Sequence, residues 1–420
     1  MGHIIVVGGG AAGIIGAWRA ATLGADVTLI EKTARLGTKI LISGGGKCNI
    51  THDGDLKDVL KAFRKNEAEF IRPACYRFTN HMIVKLFVES GLKVYTRPDG
   101  RIFPTDGTAK DVVAILQKYL STERVKIVYK SPVEKIVMEN GSVTGVIVQG
   151  KFLGCDSVIV ATGGSSYPNS GTTGDAWPWA KEIGHSIAKV HASLAPIYLF
   201  LDDPSEVLPP SVRSGISLRD VVLKARIEGK EFARWRGDLL LTHRGISGPC
   251  ALGISREITE RERMNSTSLD VDLLPDFSFE ELQLKVRQWS NANPKKQALS
   301  FIEEYVPSRI AEAILITTDL TGGSALSQVA KRKVNRLIET LKMWQLGSVR
   351  AVPLELGEVV AGGISLNEVD PSTMGSRLCK GLYFCGEALD IAGPVGGYNL
   401  QAAFSTGYVA GESAALKKSC

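Results

Sequence analysis

Val6-Val7-Gly8-Gly9-Gly10-Ala11-Ala12-Gly13 continues an apolar run that begins at Ile4 and opens an alanine-rich apolar segment. Gly8, Gly10 and Gly13 thus form a Gly-x-Gly-x-x-Gly fingerprint where a strand turns into a helix, the setting that gives the pattern its meaning. Gly8 permits the tight turn, Gly10 lets backbone amides approach a pyrophosphate, and Gly13 lets the helix pack closely on the strand. The helix N-terminus, with Ala12 in its first turn, then faces the diphosphate charge. A second strand, Asp26 to Ile30, ends in Glu31-Lys32, and the Glu31 carboxylate is placed to accept hydrogen bonds from a ribose hydroxyl. That favours an unphosphorylated adenosine ribose, as in FAD or NAD.

Outward from this stretch, the helix after Gly13 runs to about Leu23, with Gly24 as its cap. Thr33 to Thr51 holds Arg35, Lys39 and Lys47 and ends in Ser43-Gly44-Gly45-Gly46-Lys47-Cys48-Asn49, which reads as a long binding loop. Residues 56 to 90 have helical spacing. The turn Arg97-Pro98-Asp99-Gly100 leads to Arg101, a residue able to reach an anion or to sit in a surface hairpin. Thr108 can cap a helix to about Leu120. Strand-like alternation follows from Val125 to Ala161, including a segment opening at Val133 and an Asn140-Gly141 hairpin. A buried parallel strand then ends at Ala161-Thr162-Gly163-Gly164, where small residues let a cofactor lie against the backbone.

From about Ala188 the composition shifts. Ser193 to Leu201, Ser217 to Ile227, Glu231 to Trp235 and Gly237 to Thr242 read as strands; Phe279 to Trp289, Gln297 to Tyr305, Ser308 to Ile316 and Ala325 to Leu341 read as helices. Gly381 to Glu387 is a buried strand closing on Gly-Glu, and the glycines of Gly393 to Asn399 precede a last helix from Leu400 to about Leu416. The expected fold class is α/β: a Rossmann-like nucleotide domain split between residues 1–187 and 348–420, with a β-barrel-like insertion over 188–275 and a helical cap over 276–347.

Composition narrows the function classes. The chain has 420 residues, 44% of them hydrophobic, and a net charge of +6 on 50 basic and 44 acidic side chains. That balance is too weak and mixed to announce a nucleic acid, so none is expected as a partner. Lys331-Arg332-Lys333 with Arg336 and Lys342 is the basic cluster of note, and a solvated helix face accounts for it. Seven scattered cysteines without a Cys-x-x-Cys pair fit a reducing cytoplasm. Neither a membrane span, a signal peptide nor a metal site is expected.

Three motifs carry a resemblance. They are Leu36-Gly37-x-Lys39-Ile40-Leu41-Ile42-Ser43-Gly44-Gly45-Gly46-Lys47-Cys48-Asn49-Ile50-Thr51, then Leu241-Thr242-His243-x-Gly245-x-Ser247-Gly248-Pro249, then Gly386-Glu387-x-Leu389-Asp390-x-x-Gly393-x-x-Gly396-Gly397-Tyr398-Asn399-x-Gln401. In that order they resemble a bacterial flavoprotein family described as aminoacetone-oxidase-like or NAD(P)/FAD-dependent oxidoreductase, which includes bile-acid enone reductase-like members. The resemblance implies FAD as cofactor. It places Gly8, Gly10, Ala12 and Gly13 at the diphosphate and Glu31 with Lys32 at the ribose. Gly386, Glu387 and Asp390 fall at the ribityl-diphosphate region, and Gly396, Gly397, Tyr398 and Asn399 beside the flavin ring. Lys39, Gly46, Lys47, Cys48 and Asn49, with Val133 and Ala161, Thr162 and Gly163, complete the cofactor-binding set. Two departures, His52 in place of an Asn and the lack of a threonine before Gly362-Gly363, bear on the substrate rather than on FAD.

The expected chemistry is hydride transfer between a small organic substrate and flavin N5, with the amine-oxidase form using oxygen placed first. The alternative is an NAD(P)H-dependent reductase of an activated alkene, with NAD(P)H as a transient reductant because no second fingerprint follows a strand. A third possibility, of another class, is an FAD-stabilised RNA- or protein-binding protein acting through the basic helix at Lys331. Catalytic candidates are Cys48, whose thiol Lys47 and glycine amides could acidify, His243 and Tyr398. For Cys48 a buried structural role, and for His243 a loop role, are the competing readings. No sequence feature sets the oligomeric state.

Overall fold

The protein is described from a computed structural model, which covers residues 2–201, 212, 215–261, 263–320, 323 and 325–416. The chain forms two compact units: Met1–His191 together with Glu358–Cys420, and Ala192–Gly357.

The first unit is built on a five-stranded parallel sheet ordered Leu382–Phe384, Ser157–Val160, His3–Val7, Asp26–Ile30, Lys126–Val128. Its central strands are near-continuous apolar runs, as a sheet buried on both faces requires. The edge strand Leu382–Phe384 arrives from the far end of the chain and pairs with Ser157–Val160, so neither terminal portion holds a complete sheet. The split Rossmann-like fold is therefore present.

The second unit is a closed antiparallel barrel ordered Ile197–Leu199, Gly245–Ser247, Lys230–Thr242, Ile216–Ile227, Thr267–Asp272, Trp344–Ala351. Helices Phe279–Ala292, Ala298–Ile302, Ser308–Thr317 and Lys331–Lys342 lie in the chain between its last two strands. Barrel and helices belong to one compact unit because the closing strand follows the helices.

Some local expectations change. The stretch Thr33 to Thr51 is not a simple loop: Thr38–Ile42 is helical, Ser43–Gly46 is a 3-10 turn and Thr51–His52 is a short strand. Residues 56 to 90 divide into Leu56–Lys61, Lys65–Arg77 and Asn80–Glu89, with Asp55 and Thr79 side chains capping the first and third. The two strands expected on either side of Arg236 are one strand, Lys230–Thr242, whose ladder slips opposite Gly237 rather than ending there. Strand Lys151–Gly154 escaped the periodicity reading because all four residues are exposed. Among the described residues no helix is long and apolar enough to cross a membrane.

What joins the two halves of the first unit is a helix contact at backbone distance. Ala11–Thr22 packs against the C-terminal helix Tyr398–Leu416. A Cβ at Gly407 would lie 2.2 Å from the Ala12 carbonyl oxygen, and one at Gly411 2.1 Å from that of Gly16. Glu412 on the C-terminal helix is held by Arg19 of the first helix and by Arg77 at 2.8 Å. Gly407→Leu and Gly411→Leu should each cost about 1–3 kcal/mol, because overpacking here meets backbone rather than a movable side chain. A fall in the thermal midpoint for both variants checks this; unchanged midpoints would mean that the helices can part freely.

Candidate functional site

The three fingerprint glycines meet three different surroundings. Gly8, at φ +102°, would place a Cβ 2.5 Å from the Ala161 carbonyl oxygen, so only glycine lets the turn pass the neighbouring strand end. Gly13 would place one 1.9 Å from the Gly8 carbonyl oxygen, and its absence lets the helix start against the turn. Gly10 has nothing within 4 Å of its Cβ position. The helix that follows has no side-chain cap and no acid in its first turn. Open space in front of uncapped amides suits an anion.

Glu31, buried at the end of the second strand, accepts from the amides of Gly9 at 2.8 Å and Thr33 at 2.7 Å, one on each oxygen. Each oxygen retains a lone pair for a further donor such as a ribose hydroxyl. Ser131 donates its amide to the Glu31 carbonyl at 3.1 Å, which sets the strand beginning at Val133 beside this corner. Lys32 is held by Thr173 at 2.6 Å and Asp175 at 2.5 Å.

The second and third motifs of the first unit close on this turn. Lys39 Nζ contacts Glu387 at 2.6 Å and Ser166 at 2.9 Å, and Glu387 also accepts from the Val360 amide at 2.9 Å. Asp390 accepts from the Gly362 amide at 2.9 Å. Gly386, at φ +66°, would place a Cβ 2.9 Å from that of Ala12, which brings the C-terminal Gly-Glu against the first helix. Gly44, Gly45 and Gly46 take φ values of 56°, 67° and 84° in succession, a run of left-handed backbone that explains three glycines in a row. Beyond them the Asn49 amide, oriented by its surroundings, accepts from the Gly397 amide at 2.8 Å and donates to Thr51 O at 3.1 Å. Asn399 likewise spends its amide on Gly393, accepting at 2.8 Å and donating at 2.9 Å. Asn49 thus holds the glycine turn at Gly397 and Asn399 the start of the same loop at Gly393, and neither amide stands free in this arrangement.

FAD can be tested against these surroundings. The side-chain oxygens of Thr162 and Ser165, at the end of the strand Ser157–Val160, are buried with no hydrogen-bond partner. Buried polar atoms of this kind call for a partner, and the uncapped helix and the space at Gly10 belong to the same strand ends. The residues present fit a dinucleotide along this edge of the sheet. Thr51 and Gln401, which end the first and third motifs, form a buried pair bonded at 2.5 Å, whereas Ser165 and Ser166 lie outside every motif quoted above. Ser165 and Ser166 directly follow Gly163-Gly164 and could have been included on that ground.

The catalytic candidates separate. Cys48 is fully buried in left-handed backbone at φ 60°, and burial pushes its thiol up to about 12, against the acidification expected from Lys47. Lys47 itself is exposed. His243 lies in the exposed turn between Lys230–Thr242 and Gly245–Ser247, within the second unit; the structure does not group it with the residues above. Tyr398 begins the C-terminal helix, stacked on His52 with centroids 4.7 Å apart and planes at 17°, with the edge of Phe63 at 6.1 Å. Burial first, and then the negative charge of Asp99, hold its phenol above the usual tyrosine range. Arg101 is bound to Asp99 at 2.5 Å and is not a free anion receptor.

Residues 2–413 match the family described as HI0933-like protein Rossmann domain. The chain belongs to the HI0933-like family. Relatives similar to it include a ribosomal RNA dihydrouridine synthase of Haemophilus influenzae, 32% identical with 96% of each chain covered. A 3-dehydro-bile acid delta(4,6)-reductase of Clostridium scindens is 29% identical, with 99% of each chain covered. The fold is shared with 3-ketosteroid delta1-dehydrogenase from Sterolibacterium denitrificans, with a TM-score of 0.54 at 14% identity over 99% of this chain and 100% of that one. This HI0933-like chain is accordingly an FAD-dependent oxidoreductase.

Gly10→Val should fold normally, since its backbone at φ −81° and ψ −170° suits valine and its side chain meets nothing. The variant should nevertheless lose its yellow colour. Flavin absorbance against the thermal midpoint of the apoprotein checks this, and full flavin content would exclude the Gly10 space as the diphosphate approach. With its thiol near 12, Cys48 should be thiolate in only about one molecule in ten thousand at pH 8. Mass mapping after iodoacetamide should leave Cys48 unlabelled until the protein is unfolded.

Proposed function

We propose that this HI0933-like protein reduces a carbon–carbon double bond conjugated to a carbonyl, and that its substrate is the uracil C5=C6 bond within ribosomal RNA. One observation carries this: relatives aligned with nearly the whole chain are named for reducing a uridine ring and a bile-acid dienone system. Both names describe an alkene with one carbon β to a carbonyl. The same observation favours the alkene reductase over the amine oxidase placed first from sequence, and a nucleic-acid substrate over the absence of one.

FAD bound here and first reduced by NADH or NADPH would supply the hydride from N5. The hydride adds to C6 of uracil, the electron pair of the double bond moves toward the C4 carbonyl, and a proton must reach C5. Two hydrogens are then gained by the base and the nicotinamide is oxidised. Of the three catalytic candidates Tyr398 best suits the proton. Its burial keeps the phenol protonated, and the His52 and Phe63 rings fix its direction. The turn made by Gly396-Gly397, secured by Asn49, sets the start of the helix that carries it. Cys48 takes no part as a nucleophile. A small enone is the second substrate class, favoured by the bile-acid relative alone.

Anaerobic incubation with NADPH and deproteinised bacterial ribosomal RNA, followed by nucleoside mass spectrometry, should convert uridine to dihydrouridine. Absence of dihydrouridine together with flavin bleaching by an amine would restore the oxidase. Tyr398→Phe should lower alkene reduction about 10²–10⁴-fold while leaving flavin reduction by the nicotinamide unchanged; equal turnover would remove Tyr398 as the proton donor.

A further inference from the structure

The helix Lys331–Lys342 is pinned along its inner side. Leu337, Ile338 and Leu341 are buried, and Lys342 donates to the carbonyls of Leu274 at 2.9 Å and Phe277 at 2.6 Å. Those carbonyls precede the helix Phe279–Ala292, and Gln283 of that helix donates to Asn335 at 2.9 Å. The two helices are therefore antiparallel neighbours. Arg287, one turn beyond Gln283, falls opposite Lys331, one turn before Asn335. The turn carrying Lys295 and Lys296 comes to the same end, because Leu326 donates its amide to the Lys296 carbonyl at 3.1 Å just before the basic helix begins.

The cations here divide by partner. Lys333 is held by Asp319, with its carboxylate at 3.1 Å and its carbonyl at 2.7 Å. Lys296 lies over the Trp289 ring at 6.0 Å. Lys331, Arg332, Arg336, Arg287 and Lys295 are exposed, and among the described residues none of them forms an ion pair. Glu339 is the acid at an exposed position of the same helix. Elsewhere on this unit, by contrast, arginines such as Arg219, Arg226, Arg234 and Arg236 are paired with carboxylates. Among the described residues, five cations thus stand together without carboxylate partners at one end of two packed helices.

We infer that this end of the helix pair is a docking surface for the phosphate backbone of RNA, engaged by Lys331, Arg332 and Arg336 with Arg287 and Lys295 beside them. Charge complementarity identifies the occupant: unpaired cations carried on packed helices match a polyanion and release its counterions on contact. The contacts are to phosphates and carry no base sequence, so they would hold the RNA without choosing the uridine. This inference rests on ribosomal RNA being the substrate and assigns a place where it is gripped.

The test uses the full-length protein with FAD and, as probe, deproteinised bacterial large-subunit ribosomal RNA. Lys331→Gln, Arg332→Gln and Arg336→Gln combined remove charge from exposed helical positions without touching the buried side. Binding should weaken at least tenfold at moderate salt, and the slope of log affinity against log salt should fall by about two to three. Reduction of a small cyclic enone should be unchanged. A control neutralising exposed Lys118, Lys126 and Lys151 of the other unit should bind as the parent does. Equal binding by the triple variant, or equal weakening by the control, overturns the docking surface while dihydrouridine formation by the parent still stands. If the parent neither binds nor reduces ribosomal RNA but does reduce the enone, the substrate assignment fails first. Retained RNA affinity with loss of binding to an acidic protein would assign the surface to a protein partner instead.

Discussion

Everything that makes the first unit a binding domain depends on two helices touching through backbone. Gly16, Gly407 and Gly411 remove the side chains that would otherwise hold Ala11–Thr22 and Tyr398–Leu416 apart. Each helix begins at a glycine turn, Gly8 to Gly10 for the first and Gly396-Gly397 for the last. Bringing the helices together therefore brings the two turns to one edge of the sheet. Small residues give close approach, and the dispersion lost with their side chains is recovered by the length of contact. The Arg19–Glu412–Arg77 cluster adds a charge-based register to the same pair.

Around that contact the polar side chains mostly bind backbone. Glu31 fixes the Gly9 amide, Glu387 the Val360 amide, Asp390 the Gly362 amide, Asn49 the Gly397 amide and Asn399 both polar groups of Gly393. Glycine-rich turns have little side-chain packing to define them, so their geometry has to be imposed by hydrogen bonds. The conspicuous polar residues of the motifs thus act first on the protein's own loops. A cofactor would meet a surface made largely of amides, glycines and the unpartnered hydroxyls of Thr162 and Ser165.

The strands were legible where burial was complete on both faces, as in Ile4–Val7 and Ser157–Val160, because nothing but apolar residues can stand there. The fingerprint was legible because each glycine answers a separate steric demand. Of the two readings open for Cys48, folding selects the buried one: Lys47 is exposed to solvent while Cys48 is enclosed, and burial outweighs a charge that water screens. His243 shares a motif style with the flavin turns yet sits on a barrel hairpin, since a linear motif carries no information about which unit it decorates. The pairing of His52 with Tyr398 joins residues far apart in sequence and could not be read from either. Nor could the basic helix be weighed from its charges alone; what matters is which cations find carboxylates, and that is settled by folding.

The order of synthesis meets the split sheet in a particular way. Strand Leu382–Phe384 lies beside Ser157–Val160, and Cys385, just after it, bonds to the Val160 carbonyl across 225 residues of chain. The intervening Ala192–Gly357 forms a contiguous unit with its own core and closed barrel. During translation the middle can complete its packing while the first strands still lack their neighbour and their covering helix. The portion ahead of the barrel must wait, with its apolar sheet edge open, until strand Leu382–Phe384 and helix Tyr398–Leu416 emerge. Long-range closure of this kind slows folding and prolongs exposure to aggregation. A chain built this way has its cofactor turn made before the barrel unit and completed after it, so the portion ahead of the barrel is the part in need of chaperone protection.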